Sequence, residues 1–291
     1  MDVTPPKRSR PRIDRFAVFW ASPSLVWQVA FFVAPLVVLV WMTFWRVKNF
    51  KLEQDFIPDN WIRIFSSGFF YDAFLYTFWM ALVAAVLITL IAFPAAYALA
   101  FIASPRTRTL AIVALITPFF TSYLVRIYSW QIILAEKGII NGVLGLAGIS
   151  PVNIIGTSTA TMVGYVTLAL PLVLLIQLFS LSMVDKRLVE AAYNLGCGPL
   201  KTVFKVVVPS ARVGLVIGGT FAFLFAFGDY VSPLFLGGSK PPTLSILITD
   251  QVKSGNNWPR AAVVAVVMVI TLMATLTVMS AVAYRRRGGA R

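Results

Sequence analysis

This 291-residue chain has few residues able to do chemistry, and what is missing narrows the field first. It has no histidine and a single cysteine, Cys197. Imidazole acid–base catalysis, His-ligated metals, Cys/His zinc sites and an intrachain disulfide are therefore excluded. Its acids form no cluster that would mark a membrane-embedded reaction centre. Two places remain. One is the stretch EAAYNLGCGPLKTVFKVVVP, residues 190–209, where glycines, a lysine and a threonine lie close together as in a phosphate-binding loop. The other is Asp229, a carboxylate set inside an apolar run and followed by Tyr230.

Spacing decides against the phosphate loop. That motif needs glycine directly before the lysine, so that backbone amides can curl around the phosphates, and it follows a strand. Here Leu200 precedes Lys201, and the residues before Gly196 read as helix. The same residues fit two short helices meeting at a corner. Asp185 is placed to N-cap the first, with Leu188, Ala192 and Leu195 on one face. Gly196 suits the left-handed position just past its end, and Gly198 and Pro199 restart a second helix that is expected to stop at Pro209. Ala191 and Ala192 keep one side small for close approach, and Glu190 offers a charge.

The elements that must hold these residues are membrane spans. Hydrophobic residues make up 59% of the chain and charged ones 12%, against about 45–50% and 25% in soluble domains. Roughly 20 apolar residues of helix cross the hydrocarbon core. Six segments qualify, at about 25–45, 73–102, 110–134, 161–183, 214–236 and 261–284. Pro94, Pro118 and Pro171 lie inside them, which transmembrane helices tolerate when neighbours satisfy the freed carbonyl. The net charge of +14 is explained by topology rather than by nucleic acid. With both termini inside, 16 Lys and Arg fall on the inner face and 9 on the outer, which predicts cytoplasmic N- and C-termini. Residues 1–24 then form a basic cytoplasmic tail, 25–284 a single membrane domain with a cytoplasmic loop at 184–211, and 285–291 a second basic tail. The first apolar run is too long for a signal peptide and lacks a small-residue cleavage site, so it is expected to be retained. Outer segments 46–72 and 135–160 each suit a short interfacial helix.

A carboxylate at Asp229 is expensive in the fifth span and needs a partner. One reading puts Asp229 on a solute path with Tyr230 and Tyr123, whose rings attract an ammonium group. Another pairs it with Arg126, the other charge well inside a span, as a structural bridge. Gly214 and Gly218 form a G-x-x-x-G expected to pack against a neighbouring helix. Trp41, Tyr128, Trp130 and Trp258 read as interface anchors.

Glu190-Ala191-Ala192, Gly196 and the ending Val206, Val208, Pro209 resemble the EAA motif of permease subunits in bacterial ABC importers, with valines replacing the usual isoleucine and leucine. The segments PFFTSYLVRIYSWQIILAEKGIIN (118–141), FGDYVSPLFLGG (227–238) and NNWPRAA (256–262) resemble the spermidine/putrescine-type first permeases. The resemblance implies an all-α, six-helix inner-membrane protein arranged like type I ABC importers. It implies a non-enzymatic chain, in which ATP and Mg are bound by two partner ATPase subunits that Glu190, Ala191, Ala192, Gly196 and Pro209 contact or shape. A second, homologous permease and a periplasmic substrate-binding protein would complete the assembly, with no metal or cofactor in this chain. The implied cargo is a polyamine or similar small organic cation, with another small organic solute or an iron complex as the alternative. An ion-driven secondary transporter fits less well, because such proteins show internal symmetry and coupling carboxylates.

Overall fold

A computed structural model describes residues 15–49 and 51–284; the expected basic ends at 1–14 and 285–291 lie outside the described residues. The first apolar run is a rod made of α1 (Arg15–Gln28), a π-helical turn (Val29–Val33) and α2 (Ala34–Met42). Its helix begins at Arg15, so part of the expected N-terminal tail already belongs to the rod. The π turn ends two residues before Pro35, which has a ring that clashes with the i−4 carbonyl and no N–H to offer it. A wider coil relieves both problems.

Next comes a feature the helical reading did not anticipate, an antiparallel hairpin of β1 (Arg46–Lys48) and β2 (Lys51–Glu53). Asn49 turns it with a positive φ of 48°. The expected short helix of this outer segment follows as α3 (Asp59–Phe65). Asn60 fastens α3 to the end of α2 by donating to the carbonyls of Thr43 and Trp45, both at 2.8 Å.

The core is built by α4 (Gly68–Phe101), α8 (Ser158–Ser182) and α12 (Arg212–Gly228). Ala81, Ala84, Ala85, Ala92 and Ala96 form a buried small-residue stripe on α4, spaced at helical repeats. Without a hydrophobic driving force inside lipid, such small residues let helix backbones approach and gain dispersion contact. Gly214 serves the same end on α12, since a Cβ there would lie 2.2 Å from Ser180 Cβ on α8. α14 (Leu244–Lys253) packs on α4 and on α15 (Trp258–Tyr284).

Four helical segments among the described residues are long and apolar enough to cross a membrane, and six if each of two bent pairs counts as one span. One of the bent pairs and an early helix end correct two sequence expectations. The third span, expected as continuous over 110–134, divides into α5 (Pro105–Ile116), a 3-10 turn (Thr117–Phe120) and α6 (Tyr123–Leu134), with a 97° bend. Pro118 cannot donate within that turn, and Thr121 leaves it in an extended conformation. The fifth span, expected to reach 236, ends at Gly228. Asp229 is extended, and a short α13 (Val231–Phe235) follows. The outer segment 135–160 carries its expected short helix, α7 (Ile139–Leu146).

Candidate functional site

The corner at 184–211 forms as its local signals require. α9 (Lys186–Asn194) is N-capped by Asp185, whose Oδ1 accepts from the Arg187 amide at 2.9 Å. Gly196 takes a φ of +76°, and the amides of Gly196 and Cys197 turn back to the carbonyls of Tyr193 and Ala192 at 2.9 and 3.0 Å. Gly198 caps α10 (Pro199–Thr202), which runs into a second π turn (Val203–Val207). Pro209 does not stop the helix. It sits inside α11 (Val208–Ser210), and the chain bends by 77° at Ala211, because the π turn again precedes the proline and absorbs its missing N–H.

Burial divides the corner into a root and a face. Val184, Val207 and Ala211 belong to the same buried cluster as α4, α8 and α12. Polar ties reinforce this root: Ser180 Oγ donates to the Ala211 carbonyl at 3.1 Å, and Arg108 to Ser182 Oγ at 2.6 Å. The face on which spacing places Leu188, Ala192 and Leu195 is not uniformly buried. Ala192 is buried, whereas Leu188 is exposed and Leu195 is 84% exposed. With Leu200 and Phe204 they leave an outward apolar face beside exposed Glu190 and Ala191. The arrangement is a rigid lever with a sticky end: a displacement of the exposed face moves the helices to which its root is packed.

Asp229 lies at the break between α12 and α13, 7% exposed. Its Oδ1 accepts from the Val231 amide at 2.9 Å, and its Oδ2 from the Ser232 amide at 3.2 Å, from Tyr123 Oη at 2.7 Å and from the Ser232 hydroxyl. Tyr123 Oη also lies 2.5 Å from Ser232 Oγ. The carboxylate therefore caps α13 and ties it to the start of α6, 106 positions earlier in the chain. Ser232 was not foreseen. The signal was present in the order Gly228-Asp229, then Ser232-Pro233, which reads as a helix stop, an acidic cap and a restart. Tyr230, beside it, is half-buried.

The expected Arg126–Asp229 bridge does not form. Among the described residues the single ion pair within 4 Å joins Arg46 and Asp55. Arg126 instead stands over the Tyr123 ring, 5.6 Å from its centroid, and donates from Nη1 to the Thr167 carbonyl at 3.3 Å. The reason lies four residues further along α8. Pro171 has no N–H, so the Thr167 carbonyl loses its helical partner, and in lipid it needs another. Two oddities of the sequence, an intramembrane arginine and a mid-span proline, thus satisfy one another. Among the described residues no group of three or more Cys, Asp or Glu is placed to hold a metal ion.

No family model matches the chain. Individual proteins do. The spermidine/putrescine transport system permease protein PotB of Escherichia coli (strain K12) is 30% identical over 250 residues, covering 84% of this chain and 90% of PotB. The inner membrane ABC transporter permease protein YdcU of the same organism is 26% identical over 292 residues, covering 91% and 92%. Among solved structures, a membrane chain of a bacterial ABC transporter that imports the acidic polysaccharide alginate superposes with a TM-score of 0.77 at 14% identity, covering 94% of this chain and 97% of that one.

Proposed function

The chain belongs to the family of ABC importer permeases that includes the spermidine/putrescine permeases, and from that membership we propose how it works and what it carries. It is a multi-pass inner-membrane permease subunit. In the proposed assembly it pairs with a second, homologous permease, two ATPase subunits and a periplasmic binding protein. ATP and Mg sit in the ATPases, and this chain hydrolyses nothing. The 184–211 corner faces the cytoplasm and docks on an ATPase through Leu188, Leu195, Leu200 and Phe204. Glu190 contributes a charged contact, and Ala191, Ala192 and Gly196 allow close approach. ATP-driven closure of the ATPase pair then swings α8 and α12 through the root of the corner.

The observation that carries this reading is that division of the corner into an exposed apolar face and a root inside the helical core. Its test is co-purification of the ATPase with the permease, together with solute uptake. Glu190→Arg is expected to weaken ATPase association and to stop uptake while the permease remains in the membrane. Retention of both association and uptake would refute the assignment.

The cargo proposed is a polyamine or a similar small organic cation, on the strength of the likeness to PotB. The four hydrogen bonds already accepted by Asp229 support a structural task for that residue and for Tyr123, and leave selection largely to the binding protein. Of the three residues expected on a solute path, Tyr230 is the one we keep there. Calorimetry of the cognate binding protein with spermidine and putrescine checks the cargo. An anionic or neutral ligand would overturn it and favour the alternative, another small organic solute or an iron complex.

A further inference from the structure

Four of the nine basic residues on the less basic face of the chain line one cavity. Arg46 and Lys48 come from β1, Arg63 from α3 and Arg260 from the first turn of α15, around a volume of about 300 Å³. Asp59 is the acidic member of the lining, with Asn60 and Asn257 as neutral polar neighbours. Asp55 reaches only Arg46, at 3.9 Å, with both side chains about half exposed. The cavity therefore sets four cationic side chains against one lining carboxylate, Asp59, and keeps an excess of positive charge. Arg260 Nε is buried with no hydrogen-bond partner among the described residues. The amino end of the 27-residue helix α15 adds its own positive potential. A water takes about 30 Å³, so there is room for a phosphate group and several waters.

Directly beside this cavity runs an apolar groove. It has a volume of about 410 Å³ and is lined by Val33, Leu36, Val37, Val40 and Trp41 of the first rod with Phe44 and Phe56. Phe44 and Phe56 stack at 5.0 Å with their planes 4° apart and close the groove, and the Ile57 amide donates to the Phe44 carbonyl at 3.2 Å. Further along the same segments, Arg46, Val47 and Ile57 line the basic cavity. α2 has no buried residue, so the groove lies open on the surface of this chain.

We propose that this corner binds an anionic phospholipid, with its phosphate in the basic cavity and an acyl chain along the groove of α2. Charge complementarity selects the headgroup, and the adjoining apolar wall selects a lipid over a free anion. The site would fix the first rod, which otherwise touches little of the bundle, to the hairpin, α3 and α15. The inference rests on the chain lying in a membrane and is independent of the solute carried.

The test uses the assembled importer, purified in mild detergent and depleted of lipid. Native mass spectrometry reads retained phosphatidylglycerol against phosphatidylcholine, and thermal midpoints are followed with each lipid or with sodium phosphate. Preferential retention of, and stabilisation by, phosphatidylglycerol is expected. The double variant Arg63→Gln/Arg260→Gln should retain it about tenfold less or weaker still. Lys48→Gln, with its exposed side chain on the hairpin, should reduce retention several-fold without touching the fold. Equal retention by wild type and both variants would overturn the proposal, as would equal retention of phosphatidylcholine. Protection by sodium phosphate as strong as that by phosphatidylglycerol would overturn the lipid as occupant. Loss of binding-protein docking in the variants, with lipid retention unchanged, would reassign the cavity to carboxylates of that protein.

Discussion

Removing Arg126 should cost more stability while residue 171 is proline than when it is not. Arg126 Nη1 donates to the Thr167 carbonyl at 3.3 Å, and that carbonyl is free because Pro171 offers no N–H. Leaving a buried carbonyl orphaned costs about 1–3 kcal/mol. Interhelical polar contacts inside membranes average about 0.6 kcal/mol and reach about 1.7. A separation of 3.3 Å lies just beyond the usual 2.7–3.2 Å window, and Arg126 Nε is itself buried without a partner, so the lower range applies. Arg126→Leu should therefore destabilise the protein by about 1 kcal/mol through this carbonyl, plus whatever its packing over the Tyr123 ring contributes. In a Pro171→Ala background the new amide serves Thr167, and the carbonyl share of the loss disappears. The Tyr123 share is the same in both backgrounds and cancels from a double-mutant cycle. The coupling energy expected is about 1 kcal/mol, near a fivefold change in the unfolding equilibrium. SDS titration of the four proteins in bicelles measures it. Additivity within about 0.3–0.5 kcal/mol would refute the idea that arginine and proline answer one another.

Other consequences follow from the same packing. Asp229→Asn replaces one acceptor oxygen by a donor within a set of four donors and should cost about 1–3 kcal/mol of stability, while uptake per folded molecule persists. Loss of polyamine uptake at unchanged stability would put Asp229 on the solute path instead. Gly214→Ala sets a Cβ 2.2 Å from Ser180 Cβ and should cost about 1–3 kcal/mol by forcing α8 and α12 apart. Ser180→Gly in the same chain should recover part of this, since the Ser180 Cα lies at an ordinary 3.5 Å. A thermal midpoint for the pair no higher than for Gly214→Ala alone would show that the glycine serves some other purpose.

How much was legible in the sequence follows the range of the forces concerned. Hydropathy is summed over about 20 neighbouring residues, so apolar segments long enough to span a bilayer could be read directly, whereas their ends and breaks could not. The corner at 184–211 was equally plain, because a cap at Asp185, a left-handed Gly196 and a restart at Pro199 are all local requirements. Which of its apolar residues faced outward was not, since helical spacing places Leu188 and Ala192 together without saying where the bundle lies. The hairpin at 46–53 escaped notice because its two strands are three residues each, too short for alternation to stand out. Asp229 shows the limit most clearly. From sequence it was a charge in a hydrophobic run, with Arg126 the nearest remedy by charge alone. In the folded chain its donors are a local pair, Val231 and Ser232, and a distant hydroxyl, Tyr123, whose proximity only the packing of α6 against α13 creates. Neighbours along the chain are enough to make this a helical membrane protein with a two-helix corner at 184–211, because hydropathy, caps and turn residues act locally. The partners of its buried charges were decided by tertiary structure, because they are brought together across the bundle.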